Sequence, residues 1–277
     1  MILIADSGST KTDWQLGTEV YHTQGINPVL QDEATITQIL RDELLPQMAK
    51  NGGAELVDSV CFYGSGVRPE KEPVMRQILQ RVFLYAKMVE AYSDMLGAAR
   101  ALCDHNEGIA SILGTGSNSC LYDGKWMAKN AVSLGFILGD EGSGATLGKR
   151  FVYALYRGKL SKEILSDFEQ ETGLSLAAII NKVYREPMPN RFLASLSKYI
   201  HSRIHEPDIR ALVIGNFRDF FREYVTFYNR PELPVSFVGS IAWYYQEELR
   251  EAAVAEGFQV GTILQTPLEG LVRYHHT

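Results

Sequence analysis

What the 277-residue sequence lacks narrows its classes quickly. Its three cysteines, Cys61, Cys103 and Cys120, are odd in number and far apart, which suits neither a disulfide framework nor a CxxC metal or redox site. They read as reduced, mostly buried thiols. No uninterrupted apolar run approaches the ~18 residues of a membrane span. The opening Met1-Ile2-Leu3-Ile4-Ala5 meets Asp6 before it could form a signal-peptide core, so a cytoplasmic protein without a membrane partner is expected. Lys+Arg 27 against Asp+Glu 33 leave a formal net charge of −6, and no basic run exceeds the pair Lys149-Arg150. Without an electrostatic footprint for a polyanion, no nucleic-acid partner is expected. Small anions remain compatible, because backbone amides can bind them. No low-complexity linker occurs, so a domain boundary would be a tight crossover near residues 104–108. The remaining composition, 45% hydrophobic and 22% charged, is that of a globular chain with room for one large or two medium domains.

The first sixty residues read as a three-strand meander and a helix. Segments 2–5, 12–16 and 19–23 are β-type, and 33–50 has helical spacing at Ile36, Ile39, Leu40 and Leu44, with Pro46 as its kink or end. Strand and helix then alternate: a strand over 60–63 runs into Gly64-Ser65-Gly66, a helix comes next over about 69–83, then a strand at 88–91 and a helix at 94–103. From Gly108 the pattern restarts. Residues 109–118 repeat the logic of 2–10, an apolar strand entering a Gly/Ser/Thr turn and returning into a β-type segment. Internal duplication explains this, and so does the commonness of buried strands before glycine turns. Beyond Gly142 the chain is mostly helical to Asn229. A strand at 235–238, a helix at about 241–256, a strand candidate at 258–261 and a helix at 267–274, too short to stand alone, complete it.

Asp6-Ser7-Gly8-Ser9-Thr10-Lys11-Thr12 places a carboxylate at the end of a buried strand, then a turn rich in amides and hydroxyls, then a lysine. Such a turn suits a phosphate and its metal ion: glycine lets the backbone approach an oxyanion, N–H and hydroxyl groups donate to it, and the carboxylate can hold hydrated Mg²⁺. It is not a P-loop, since G-x-x-x-x-G-K-[ST] is absent and the turn leads into a strand. In isolation, a hairpin whose Asp and Ser cap the turn accounts for it better. Gly114-Thr115-Gly116-Ser117-Asn118 has the same character and lacks the third glycine and the helix of a dinucleotide fingerprint. Gly139-Asp140-Glu141-Gly142-Ser143-Gly144 sets two acids between glycines before a helix, either facing a ligand or favoured there by the helix's positive end. Ser93-Asp94 stands where a strand passes into a helix, where an isolated acid is usually an N-cap. A well-placed ordinary carboxylate also suffices as base in phosphoryl transfer, whose loose transition state releases the acceptor proton late. His201 and His205 lack the glutamate of a zincin and read as a solvated helix face. Ser65 lacks the G-x-S-x-G frame of a nucleophile elbow, so its segment reads as a turn.

The order of these turns is more specific than any one of them. With Val238-Gly239-Ser240 near the end, the chain resembles the actin, sugar kinase and acetate kinase superfamily. More closely, Ala91-Tyr92-Ser93-Asp94-Met95-Leu96-Gly97, Leu113-Gly114-Thr115-Gly116-Ser117-Asn118 and Leu138-Gly139-Asp140-Glu141-Gly142-Ser143-Gly144 resemble the N-acetylglucosamine kinase family and its bacterial relatives. The resemblance is strongest over 91–148, fair over 4–28 and thinner after 150. It implies an α/β fold of two ribonuclease H-like, actin-like ATPase domains, 1–105 and 106–264, with a nucleotide and sugar cleft between them and the helix 265–277 packing back on the first.

Carried over by position, the resemblance implies ATP and Mg²⁺ as cofactors and an amino sugar as the small-molecule partner. Asp6 helps hold the metal. Gly8, Ser9, Thr10 and Lys11, with Gly114, Thr115 and Gly116, lie at the ATP phosphates, and Gly239 with Ser240 borders the adenosine. Asp94 takes the proton of the sugar 6-hydroxyl. Asn27, Ser117, Asn118 and Asp140 hold the sugar, with Ser133, Leu134 and Gly135 in its wall. Leu134 stands where the family's animal members carry a tryptophan, which leaves the identity of the amino sugar open. Many relatives are dimers, so a homodimer is compatible, although the aromatic row Phe217, Phe220, Phe221, Tyr224 and Phe227 suits core more than interface. The same branch contains activator ATPases of benzoyl-CoA reductase and 2-hydroxyacyl-CoA dehydratases, which need cysteines in a glycine-rich context for an iron–sulfur cluster, and none here has one. A sugar or nucleotide sensor without turnover is the other alternative. Against it, Asp94 and both phosphate turns are chemically intact.

Overall fold

The computed structural model describes residues 1–8 and 10–276. The chain divides into two units, each built on its own five-stranded sheet. The first unit comprises Met1–His105, Gly124–Trp126 and the stretch from Pro267. Its strands are β1 (Ile2–Ser7), β2 (Lys11–Leu16), β3 (Glu19–Gln24), β4 (Ser59–Gly64) and β5 (Met88–Ser93), in the order β3-β2-β1-β4-β5. The meander β1–β2–β3 is antiparallel, and β1, β4 and β5 run parallel.

Strand periodicity sorts the side chains of this sheet onto two faces. Leu3, Ala5, Val60, Phe62, Val89 and Ala91 pack against the apolar stripes of the helices Glu33–Ile39 and Glu72–Val82. The opposite face carries Cys61 and Tyr63 toward the helices Asp94–Cys103 and Leu268–His276. The Tyr63 hydroxyl accepts a hydrogen bond from Arg100 Nη1 at 2.7 Å and lies 2.8 Å from His275 Nε2. Burial, and then the Arg100 charge, hold the His275 imidazole down at about 4, so the ring is neutral at pH 7 and shares one hydrogen bond with the tyrosine hydroxyl.

The second unit holds β6 (Glu107–Leu113), β7 (Ser117–Asp123), β8 (Met127–Asn130), β9 (Val235–Val238) and β10 (Val260–Leu264). Its order is β10-β9-β6-β7-β8. Read from the hairpin side this is the order of the first sheet, and the strand senses match: β6–β7–β8 antiparallel, β6, β9 and β10 parallel. The repetition legible in 2–10 and 109–118 thus extends to whole sheets, and two such mixed α/β units are the ribonuclease H-like arrangement of actin-like ATPases. Helices between Gly144 and Phe220, with the turn that follows them, supply an aromatic core that includes Phe151, Phe168, Phe217, Phe220 and Phe221. Of the aromatic row, only Phe227 is exposed, at 56%, so the row serves as core.

The helical segment expected over 33–50 is interrupted. A π turn at Leu40–Leu44 precedes Pro46, and the Leu45 N–H reaches back to the Leu40 carbonyl because the proline ring cannot continue a regular ladder. The 69–83 helix starts at Glu72, the 241–256 helix breaks at Tyr245, and the last strand is Val260–Leu264 instead of 258–261.

The terminal helix is seated by backbone proximity. A Cβ placed on Gly270 would lie 2.4 Å from the Ala101 carbonyl oxygen. Gly270→Ala gains about 1 kcal/mol of helix propensity. It also forces a backbone shift costing roughly 1–3 kcal/mol, which wins because no rotamer relieves it. The urea midpoint therefore falls, and an unchanged or higher midpoint would show that the helix does not rest on Ala101.

Candidate active site

In the first unit, parallel register aligns the carboxyl ends of β1, β4 and β5: Ser7 pairs with Gly64, and Gly64 with Ser93. Ligands of open α/β sheets bind at such ends. Asp6 sits one residue before the end of β1, and Asp94 opens the helix after β5. Ser93, not Asp94, is the N-cap, its Oγ accepting from Leu96 N–H at 3.2 Å. The half-buried Asp94 carboxylate accepts from Met95 N–H at 2.9 Å. Burial pushes it above the usual carboxylate range against those backbone bonds. Asp6 is pushed up to about 7 by burial first, then by the charges of Asp94 and Asp13.

Among the described residues, no three His, Cys, Asp or Glu side chains group as a metal cage. Magnesium is commonly held by one or two carboxylates together with substrate phosphates, and Asp6, crowded by like charges, fits that role. Gly8 N–H donates to the Lys11 carbonyl and Gly25 N–H to the Thr10 carbonyl, both at 3.0 Å, which fixes the turn, and Thr10 is exposed there. Ser9 lies outside the described residues. Lys11 is engaged: its Nζ lies 2.7 Å from Asp13 Oδ2, while His22 Nδ1 takes Asp13 Oδ1 at 2.7 Å.

Two residues that sequence reading passed over organise this end. Buried Ser7 accepts the Ile26 N–H at 3.0 Å and pairs with Thr12 Oγ1 at 2.7 Å, tying residues 25–27 to the sheet. Gly66 (φ +78°) leaves room for Asn27, whose Oδ1 would lie 2.1 Å from a Cβ there. The turn at Gly64-Ser65-Gly66 therefore positions Asn27.

The second unit gathers Gly114, Thr115, Gly116, Gly239 and Ser240 at the ends of β6 and β9. The carbonyls of Gly114 and Thr115 accept the N–H groups of Gly144 (2.8 Å) and Ala145 (3.1 Å), so the turn is pinned to the first turn of Gly144–Tyr156. Gly239, at φ +122°, passes so close to β6 that a Cβ would lie 2.4 Å from the Leu113 carbonyl oxygen. Ser240 is exposed beside it.

Asp140 is buried in the left-handed region, φ +60°, and donates its N–H to the Tyr224 hydroxyl at 3.0 Å. Burial raises its carboxyl, opposed by hydrogen bonds from the Ser117 backbone and the Ser133 side chain. Gly116 makes that space, because a Cβ there would lie 2.9 Å from Asp140 Oδ2. Asn118 Oδ1 accepts from Ser119 N–H (2.9 Å) and Asn130 Nδ2 (3.1 Å). Ser133 and Leu134 are exposed, and Gly135, at φ +75°, starts the single helical turn Gly135–Leu138.

No protein-family model matches the chain. The chain is similar over its full length to the solved structure of a candidate N-acetylglucosamine kinase from Porphyromonas gingivalis: 47% identical, 100% of this chain and 99% of that one, TM-score 0.96. The N-acetylmuramic acid/N-acetylglucosamine kinase of Clostridium acetobutylicum is 22% identical over 219 residues, 74% of this chain and 71% of that protein. The ROK hexokinase of Thermus thermophilus, 14% identical with a TM-score of 0.57 over 99% of this chain and 97% of that one, shares the fold.

The strained protonation of Asp6 has a measurable consequence in metal-free protein. With a folded pKa of about 7 against an ordinary 3.8, ionised Asp6 costs stability above pH 7, and the cost is gone below the ordinary value. Asp6→Asn therefore raises the melting temperature at pH 8 and loses that gain as pH falls toward 4. A gain that was constant with pH would mean that Asp6 ionises normally.

Proposed function

The chain belongs to the N-acetylglucosamine kinase family and is a sugar kinase, and from that premise we propose that it transfers the γ-phosphoryl group of ATP to the 6-hydroxyl of an amino sugar, N-acetylglucosamine first. The observation that carries the reading is the half-buried Asp94 carboxylate at the carboxyl edge of the parallel strands, raised in pKa by burial and close enough for its charge to raise Asp6.

Asp94 accepts the proton as the sugar O6 forms its bond to phosphorus and the bond to the ADP oxygen breaks. The loose transition state asks little basicity of it, so placement matters more than strength. Asp6 would hold Mg²⁺, which supplies neutralisation of phosphate charge. Gly8 and Gly114 shape the two phosphate turns, their own N–H groups bonded to the Lys11 and Gly116 carbonyls, and the phosphates fall to Ser9, Thr10 and Lys11 and to Thr115 and Gly116, with Gly239 and Ser240 beside the adenosine. For Lys11 to reach a phosphate it must leave Asp13. Asn27, Ser117, Asn118 and Asp140 hydrogen-bond the sugar hydroxyls and amide, and Ser133, Leu134 and Gly135 form the wall that meets its substituent. Catalysis by this chain is mainly alignment of acceptor and phosphoryl group in a site of fixed dipoles.

Burial favours this reading over an iron–sulfur activator ATPase. Cys61 and Cys120 are fully buried within β4 and β7 and Cys103 ends the helix Asp94–Cys103, so none is presented from the glycine-rich context such a cluster needs.

Asp94→Asn tests the assignment. Steady-state ADP release from Mg-ATP and N-acetylglucosamine falls in kcat by roughly 10²–10⁴-fold, while sugar binding by calorimetry stays within about an order of magnitude. The acid limb of wild-type kcat/KM lies above the ordinary carboxylate range, because Asp94 must be ionised to accept the proton and burial raises its pKa. Turnover near wild type in the variant would remove Asp94 from the base role.

A further inference from the structure

The segment after β8 carries the proposed sugar wall and has little of its own to hold it. Val132, Leu134, Ile137 and Leu138 are 75%, 56%, 74% and 72% exposed, and its only regular element is the four-residue turn Gly135–Leu138. A helix that short is not self-supporting. Phe136 packs on the core from the middle of the segment, and the Lys149 ammonium donates to the Phe136 carbonyl at 3.1 Å.

Both ends of the segment are held by tyrosines from one place. The Tyr228 hydroxyl accepts the N–H of Ala131 at 3.1 Å and lies 2.7 Å from Ser119 Oγ on β7, the strand that also carries Ser117 and Asn118. Four residues earlier, the Tyr224 hydroxyl accepts the N–H of Asp140 at 3.0 Å. Both phenol rings are buried, at 2% and 4% exposure, and Tyr224 stacks on Phe220 with ring centroids 5.2 Å apart. They stand in an irregular stretch. After the helix Pro207–Phe220 the backbone makes a π turn, Phe221–Val225, in which Thr226 N–H reaches the Phe221 carbonyl, and then a tight turn Thr226–Tyr228. A π turn adds one residue and rotates the residues beyond it by about 100° relative to an unbroken helix. Such turns recur at functional sites, and this one sets the direction of both hydroxyls.

We propose that Tyr224 and Tyr228 are positioning residues for sugar recognition: their hydroxyls clamp the two ends of residues 131–140 and so fix Asp140 and the Leu134 wall against β7. The inference rests on the sugar kinase reading, because it gives the clamped segment its substrate. Each tyrosine acts through a backbone amide that would otherwise be buried without a partner, and for Asp140 the clamp also holds a left-handed conformation that a non-glycine residue rarely keeps.

The test pairs kinetics with hydrogen exchange in Tyr224→Phe, Tyr228→Phe and the double variant, with Tyr199→Phe as control. Tyr199 is another buried tyrosine of the same unit whose hydroxyl donates to Asp167 instead of the segment. In the double variant the KM for N-acetylglucosamine rises about tenfold, the factor expected from about one buried hydrogen bond. The KM for ATP and kcat stay within about twofold, and amide exchange quickens across 131–140. The control loses stability and keeps its sugar KM, and the single variants keep the test open if the double variant folds poorly. An unchanged sugar KM, or equal rises for sugar and ATP, would overturn the clamp. A wild type that phosphorylates no amino sugar would remove the amino-sugar reading itself, an outcome visible before any variant is made.

Discussion

Folding works against ionised Asp6 and Asp94, and the architecture around them is organised by that opposition. Burial raises both carboxyls, and the charge of Asp94 adds to the cost at Asp6. Nothing in core packing asks for an acid at the end of β1, which would be more stable with a neutral group there. The carboxylates persist because three parallel strand ends and one helix start share an edge, and the hairpin turn at Gly8 and the Ser7 anchor keep that edge in one conformation. In the proposed roles of Asp6 and Asp94, this unfavourable charge is stability exchanged for function.

The two sheets have the same strand order and senses, yet their first turns do different work. In the first unit the turn comes after an acid and is held by residues 24–26. In the second the turn is Gly-Thr-Gly, and its carbonyls are spent on the first amides of a helix. The frame is the same in both units, and local residues at the strand ends set them apart. The same division explains why glycine is needed where it is: Gly239 and Gly116 mark places where the backbone of one loop passes another, or where an acid must fit.

Most strands and the helix at Asp94 were legible in the sequence, because each is a short apolar run bounded by glycine or a cap, and alternation and capping are local signals. The interruptions were not. The π turns at 40–44 and 221–225 answer to tertiary packing and to one proline, and helical periodicity passes through them unchanged. At the site, the acids and glycine turns were visible as residue types in order. The partners were invisible: Ser7 as a hub, Gly66 beside Asn27, Lys11 bound to Asp13, Asn118 half-occupied by its own strand. Tyr224 and Tyr228 show the limit most clearly. The sequence places Tyr224 in an aromatic row suited to core and gives Tyr228 no role, and only the position of two hydroxyl oxygens distinguishes them from the phenylalanines around them.

In the proposed reaction phosphate leaves ATP for a sugar hydroxyl and not for water, and the hydroxyl is O6. Following the reaction of wild-type protein, Mg-ATP and N-acetylglucosamine by phosphorus NMR tests it most directly. The account predicts ADP and a sugar phosphomonoester on C6 in equal amounts. ADP with inorganic phosphate alone, or phosphate at another carbon, would contradict it.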